Sequence, residues 1–191
     1  PSNGTGNAAT AINQAINAAG MGDTVYVPSG VYLLQGSIVP VNGTKIFLDT
    51  NAEMRRGFDG GTGWSGALVN PNTATLAHNV LLRGGKWSNP GNTYVGRVLN
   101  LAGNRWLVEK MNIVSWAKPG AGSIAMGIQG DDIVIRNCRA VGCPGEAGQA
   151  GIRVTGGKRI YIHDCYMEAG DDTYCAFPTE NVNNWGAGVD I

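Results

Sequence analysis

The sequence predicts an all-β solenoid, a single-stranded parallel β-helix closed at its start by a short capping α-helix. Three observations predict it. A strand-like block recurs at a nearly fixed interval, each recurrence carries a second short strand, and the first apolar stretch alone has helical periodicity.

The block is clearest as Ile160-Tyr161-Ile162-His163-Asp164-Cys165. It recurs 27 residues earlier as Ile133-Val134-Ile135-Arg136-Asn137-Cys138, after a further 27 as Trp106-Leu107-Val108-Glu109, and after a further 26 as Val80-Leu81-Leu82-Arg83. Ile46-Phe47-Leu48-Asp49, 34 residues before Val80, is a looser fifth copy. A second strand travels with the block: Leu68-Val69, Val98-Leu99, Ile124-Ala125-Met126 and Ile152-Arg153-Val154, between Gly, Asn and Pro turns. Such units are too short for a crossover with a packed helix and show no 3.6-residue pattern. Short strands and turns in units of this length stack coil upon coil.

Aligned positions then become columns with neighbours about 4.8 Å apart. Alternation sends Val80, Trp106, Ile133 and Ile160 inward, with Leu82, Val108, Ile135 and Ile162. Leu81, Leu107, Val134 and Tyr161 point outward, as do Arg83, Glu109, Arg136 and His163. The last column alternates in sign, so stacked charges attract. His163 reads as one rung of that ladder or as a substrate contact.

Residues 8–19, AATAINQAINAA, carry a helical apolar stripe, with Asn7 as N-cap and Gly20 at the end. A helix this short is marginal alone. The unpaired edge of a first coil needs a cover, so the helix caps it, and coils run from about residue 23. Pro28-Ser29-Gly30 and Asn42-Gly43 are turns. Residues 55–66, 86–97 and 115–123 read as excursions. The Gly-rich 55–66 has no phosphate-binding pattern. The other two each carry a tryptophan (Trp87, Trp116), and Tyr94 sits in the first; these rings either stack on sugar or pack over the coils.

Composition bounds the rest. The 191 residues make one domain over 1–191, and 30 glycines with 15% charged residues fit a turn-rich β protein. Formal net charge is zero, which gives no reason to expect nucleic acid or an anionic membrane as partner. No apolar run approaches a bilayer span, and PSNGTG is not a signal peptide. Four cysteines are too few for a disulfide scaffold. Cys138 and Cys165 hold equivalent positions; they read as stacked reduced thiols, at a spacing that also permits a bridge. Cys143 and Cys175 have no obvious pairing. Cysteine and histidine spacing supports no zinc site. One more period from Ile160 falls at residue 187, so Gly188-Val189-Asp190-Ile191 begins a next strand, and further coils or a partner are expected beyond it.

The concentrated acidic chemistry is Gly170-Asp171-Asp172. Converging carboxylates split their pKa values and supply one acid and one base. Gly-Asp-Asp is equally good turn chemistry. It also begins a calcium site, which needs six or more oxygens.

Taken together, ATAINQAINAAGMGDTVYVPSGVYLL, HNVLLRGGKW and GIRVTGGKRIYIHDCYMEAGDDTYCAF make the chain resemble the pectate-lyase-like right-handed parallel β-helix superfamily over most of residues 8–177. Within it, the resemblance is closest to the polygalacturonase-like glycoside hydrolases and related phage tailspike depolymerases. In those hydrolases an aspartate precedes the Gly-Ile strand, an Asp-Asp pair follows one coil later, and a histidine and an Arg-x-Lys run lie in later coils. Here Asp171 and Asp172 match the pair. The first position is Ala150, in Gln149-Ala150-Gly151, and the later positions fall beyond residue 191.

The resemblance implies inverting hydrolysis of a polysaccharide. Asp171 and Asp172 are the candidate catalytic carboxylates, with Glu168 three residues before them as the third. Asp164 and Glu146 are the other acids within reach, though alternation aims Asp164 inward at the coil corner. His163, Arg136, Arg153, Lys158 and Tyr161 are candidate substrate contacts, and Arg83 and Arg159 are further cations for uronic acids. No metal or cofactor is expected. The expected partner is a polysaccharide, the chain a monomer or homotrimer, and its place extracellular, periplasmic or on a virion surface. Two other readings stay open: a glycan-binding or attachment β-helix without catalysis, and a structural coil of a trimeric fibre.

Overall fold

The computed structural model describes residues 6–61, 66–71, 75–116, 118, 120, 123–142 and 149–176. Trp64, Cys143, Glu146 and the Gly188-Val189-Asp190-Ile191 run lie outside them.

Helix α1 spans Ala8–Ala18, and Ala9 N–H donates to its N-cap, Asn7 Oδ1 (3.1 Å). Its buried face is Ala8, Ala9, Ile12 and Ile16, narrower than the predicted stripe, with Ala11 and Ala15 exposed. Burying the two isoleucines contributes about 3–6 kcal/mol, which outweighs the marginal propensity of so short a helix. Two asparagines then attach the helix to backbone that has no coil beneath it. Asn7 Oδ1 also accepts from Gln35 N–H (3.0 Å). Asn13 Oδ1 accepts from Val39 N–H (2.8 Å), while its Nδ2 donates to Ser37 O (2.9 Å). The cap therefore covers apolar surface and satisfies edge backbone together.

The coils follow in chain order. The first holds β1 (Thr24–Val27) and β2 (Gly30–Leu34); the second, β3 (Lys45–Leu48) and β4 (Ala52–Arg56). Next come β5 (Val80–Arg83), β6 (Lys86–Ser88) and β7 (Leu99–Ala102), then β8 (Trp106–Glu109), β9 (Asn112–Val114) and β10 (Ser123–Gln129). The last two sets are β11 (Ile133–Arg136), β12 (Arg139–Val141) and β13 (Gln149–Gly156), then β14 (Ile160–His163), β15 (Tyr166–Glu168) and β16 (Tyr174–Ala176). They form three parallel sheets: sheet I, β1-β3-β5-β8-β11-β14; sheet II, β2-β4-β6-β9-β12-β15; and sheet III, β7-β10-β13-β16. This is a right-handed parallel β-helix with a short N-terminal helix.

Sheet I has the predicted columns. Val80 pairs with Trp106, Trp106 with Ile133 and Ile133 with Ile160. All four are buried, and Leu82, Val108 and Ile135 are buried in the second column. The looser copy is shifted by two residues: Ile46 pairs with Leu82, not Val80. A two-residue slip preserves the facing, so Ile46 and Leu48 stay in the core. Sheet II is the part that the repeat did not predict. It claims Lys86-Trp87-Ser88 from the expected 86–97 excursion, with Trp87 fully buried and its Nε1 donating to Gly84 O (3.1 Å). Trp116 is buried too. Both rings fill the interior and neither offers a face to sugar.

Two corners are tight. Strand β5 ends at Arg83 and β6 begins at Lys86, and the same step recurs from Glu109 to Asn112, Arg136 to Arg139 and His163 to Tyr166. Sheet III returns to sheet I through Ala102 to Trp106, Gln129 to Ile133 and Gly156 to Ile160. Side chains climb this second corner like a ladder. Asn42 Oδ1 accepts from His78 N–H (2.9 Å), His78 Nδ1 from Asn104 N–H (3.0 Å), Asn104 Oδ1 from Asp131 N–H (3.1 Å), and Asp131 Oδ1 from Lys158 N–H (2.9 Å). Beside it Ala77, Gly103, Gly130 and Gly157 stack. A Cβ on Gly130 would stand 1.7 Å from Gly103 O. From β6 onward the third corner, from sheet II to sheet III, carries the longer connections: Ser88 to Leu99, Val114 to Ser123 and Val141 to Gln149.

The glycine column yields a stability test. Gly130→Ala should destabilise by about 3 kcal/mol in urea unfolding, because backbone rather than a flexible side chain must move. Gly61→Ala, at φ +67 with open space around it, should cost about 1 kcal/mol.

Candidate functional site

The acidic pair sits in the sheet II–sheet III corner of the last described coil, between β15 and β16. Asp171 N–H donates to Gln149 O (3.2 Å), and Gly151 N–H donates to Asp172 O (2.9 Å). Two residues of the upper coil thus oppose one of the lower, Ala150, in the manner of a bulge. A bulge breaks strict alternation, so the two carboxylates are not forced onto opposite faces. Gly151 is required by this seat: a Cβ there would lie 2.4 Å from Thr173 O. Asp171 and Asp172 are both exposed, whereas Gln149 and Ala150 beneath them are 0% and 1% exposed. The rung below the acids therefore presents an amide and a methyl group, not a third carboxylate.

The outer face of sheet III continues downward from this corner. Cys175 pairs with Arg153, Arg153 with Gly127 and Gly127 with Asn100. Asn100 Nδ2 donates to Asn70 Oδ1 (2.9 Å). Arg97, two residues before β7, is buried close to Arg153. Burial, and after it the nearby Arg153 charge, lower its pKa to about 10. Arg56, buried at the end of β4, also falls to about 10 through burial. Its guanidinium donates to the carbonyls of Phe58 (3.3 Å), Gly66 (3.2 Å), Val95 (3.4 Å) and Arg97. It ties two excursions together over the sheet. Neither Arg56 nor Arg97 was a sequence candidate. Their partners are loop carbonyls far along the chain, which leave no local pattern.

The other candidates lie elsewhere. Glu168 ends β15 on sheet II, half-buried, and accepts from Tyr166 Oη (3.2 Å). Tyr161, 59% exposed, and His163 lie on sheet I with Arg136 below His163. Lys158 is at the sheet III–sheet I corner, in the side-chain ladder. Of the eight candidates, only Asp171, Asp172 and Arg153 share the sheet III side; one groove does not gather them all. Asp164 is exposed, not inward. Its φ of +55 at the corner ends the strand alternation, and its Oδ2 lies 2.8 Å from His163 Nδ1.

Sheet I's outer face is a neutralised ladder. Glu109 is buried between Arg83 (3.6 Å) and Arg136 (2.8 Å). At the neighbouring corner Arg159 Nε pairs with Asp132 at 2.5 Å. That hydrogen bond, with the attraction between the charges, holds the Asp132 carboxyl below the usual range and raises Arg159. Arg83, Arg136 and Arg159 thus already have carboxylate partners. Among the described residues no group of three or more His, Cys, Asp or Glu is arranged to hold a metal.

A family model described as rhamnogalacturonase A/epimerase, pectate lyase-like, matches residues 2–185. No curated protein and no solved structure matches the chain.

The ladder can be tested apart from any activity. Glu109→Ala leaves Arg83 and Arg136 without their shared partner and should cost about 1–2 kcal/mol in urea unfolding. Combined with Arg136→Ala, a double-mutant cycle should return a coupling of about 0.5–1.5 kcal/mol.

Proposed function

Since the chain belongs to the rhamnogalacturonase A/epimerase, pectate lyase-like family and is therefore a carbohydrate-active β-helix protein, we propose that it is a polysaccharide-degrading glycoside hydrolase acting through Asp171 and Asp172. The observation that carries the reading is the seat of the pair. Its two hydrogen bonds to Gln149 and Gly151 hold both acids directly over the start of the Gly-Ile strand, beside the position where the related hydrolases keep another carboxylate.

One aspartic acid protonates the glycosidic oxygen as its bond to the anomeric carbon breaks. The other carboxylate takes a proton from the water that attacks the opposite face of that carbon. The product has inverted configuration. Arg153, half-buried on the outer face of sheet III with Arg97 close by, adds positive charge on the side of the pair, which favours a polymer bearing carboxylates. Such a protein acts where the polymer is: outside the cell, in the periplasm or on a virion surface. It works as a monomer or a homotrimer.

Ala150 favours a second reading. With a methyl group on the rung below the pair, the protein binds the glycan and does not cut it.

Reducing-end release from rhamnogalacturonan and polygalacturonan separates these readings. Asp171→Asn and Asp172→Asn should each lower the rate about 10²-fold or more, with both variants folded by circular dichroism. Full activity in both variants excludes the pair as catalysts. Retention of polymer on the wild-type chain, with no new reducing ends, establishes binding without hydrolysis.

A further inference from the structure

Among the described residues Cys138, Cys165 and Cys175 are free thiols. Cys138 and Cys165 immediately precede β12 and β15, whose first residues, Arg139 and Tyr166, are register partners. Tyr166 N–H donates to Cys138 O (3.0 Å). The two side chains repeat one pose a coil apart. Cys138 Sγ lies 3.9 Å from Val108 O and 3.3 Å from Arg136 O; Cys165 Sγ lies 3.7 Å from Ile135 O and 3.2 Å from His163 O. The two thiols thus stand on neighbouring rungs of one column. Neighbouring rungs stand about 4.8 Å apart, inside the range of about 4.4–6.8 Å that a disulfide spans between Cα atoms. Cys138 is buried, but Cys165 is half-open to solvent. Cys175 belongs to sheet III, where its register partner is Arg153.

We propose that Cys138 and Cys165 form a reversible disulfide between consecutive coils, made by exchange with a small-molecule disulfide such as oxidised glutathione. Each sulfur has a distinct task. Cys165 is the more open of the two, and the neighbouring Cys138 thiol brings its pKa down, so Cys165 is the attacking thiolate. The same contact, together with burial, pushes Cys138 up and keeps its proton on. Cys165 attacks one glutathione sulfur, forms a mixed disulfide and expels a glutathione thiolate. With Cys165 capped, Cys138 yields its proton to that thiolate and attacks the Cys165 sulfur, and the second glutathione thiolate leaves. The cysteine pair gives up two electrons and oxidised glutathione takes them. The product is a covalent staple across the coil boundary, which removes chain entropy from the unfolded state.

The test uses the full chain equilibrated with oxidised glutathione and is independent of any activity on polysaccharide. Peptide mapping without reductant should recover Cys138 linked to Cys165, with the intact mass lower by two hydrogens. The unfolding midpoint should rise by about 5 °C or more and return on adding dithiothreitol. Cys138→Ser should instead gain one glutathione at Cys165 and no crosslink. Cys165→Ala, at the more exposed position, should gain neither. The proposal is overturned if the native chain stops at the mixed disulfide, if Cys143 or Cys175 provides the bridge, or if the thiols survive unchanged.

Discussion

Everything in this molecule rests on one coil's backbone hydrogen-bonding in register to the coil beneath. That register turns a sequence interval into a vertical column. It puts Trp106, Ile133 and Ile160 on one line in the core. It brings Glu109 between two arginines and sets Cys165 over Cys138. The ladder from Asn42 through His78, Asn104 and Asp131 fixes the same register a second time, from the side chains. The Ala77–Gly103–Gly130–Gly157 stack lets the carbonyls close up where any side chain would hold them apart.

How much of this the sequence displays depends on strand length. Sheet I strands are four residues long with two inward positions, enough to show alternation, and their columns were legible. Most strands of sheet II beyond β4 have three residues and a single inward side chain, as in Asn112-Ile113-Val114. One apolar residue between polar neighbours carries no period, so these strands of sheet II were missed and Trp87 was read as loop. Ile46 was placed two residues out of register because the long excursion before Val80 breaks the interval. Asp164 was aimed inward because alternation was carried one residue past its end, into a corner with positive φ. At the site, the seat of Asp171 and Asp172 above the Gly-Ile strand was legible as a spacing. Arg153 was legible as a candidate too, but Arg56 and Arg97 were not, because burial under loops is a property of the fold and not of any window of sequence.

The corners divide the work. Two are short and nearly constant, and they carry the ladder, the glycines and the neutralised charge pairs. From β6 onward the third takes the longer connections and ends, in the last described coil, in the acidic turn. The cations of sheet I are matched by carboxylates, so they add cohesion between rungs. On the sheet III side Arg97 is buried before β7 and Arg153 is half-buried on the outer face. Rigid corners thus hold a variable one in position, which is how loops come to carry chemistry on a repetitive scaffold.

The glycine stack makes the length of the solenoid a quantised variable. Gly130 and Gly157 stand at the same phase of consecutive coils, so joining Gly130 directly to Lys158 would excise one whole turn. The column of Ile160 would then settle onto Trp106, and the acidic turn would descend by one storey with its seat rebuilt on β10. Evolution can lengthen or shorten such a protein by whole storeys, because every floor has the same plan.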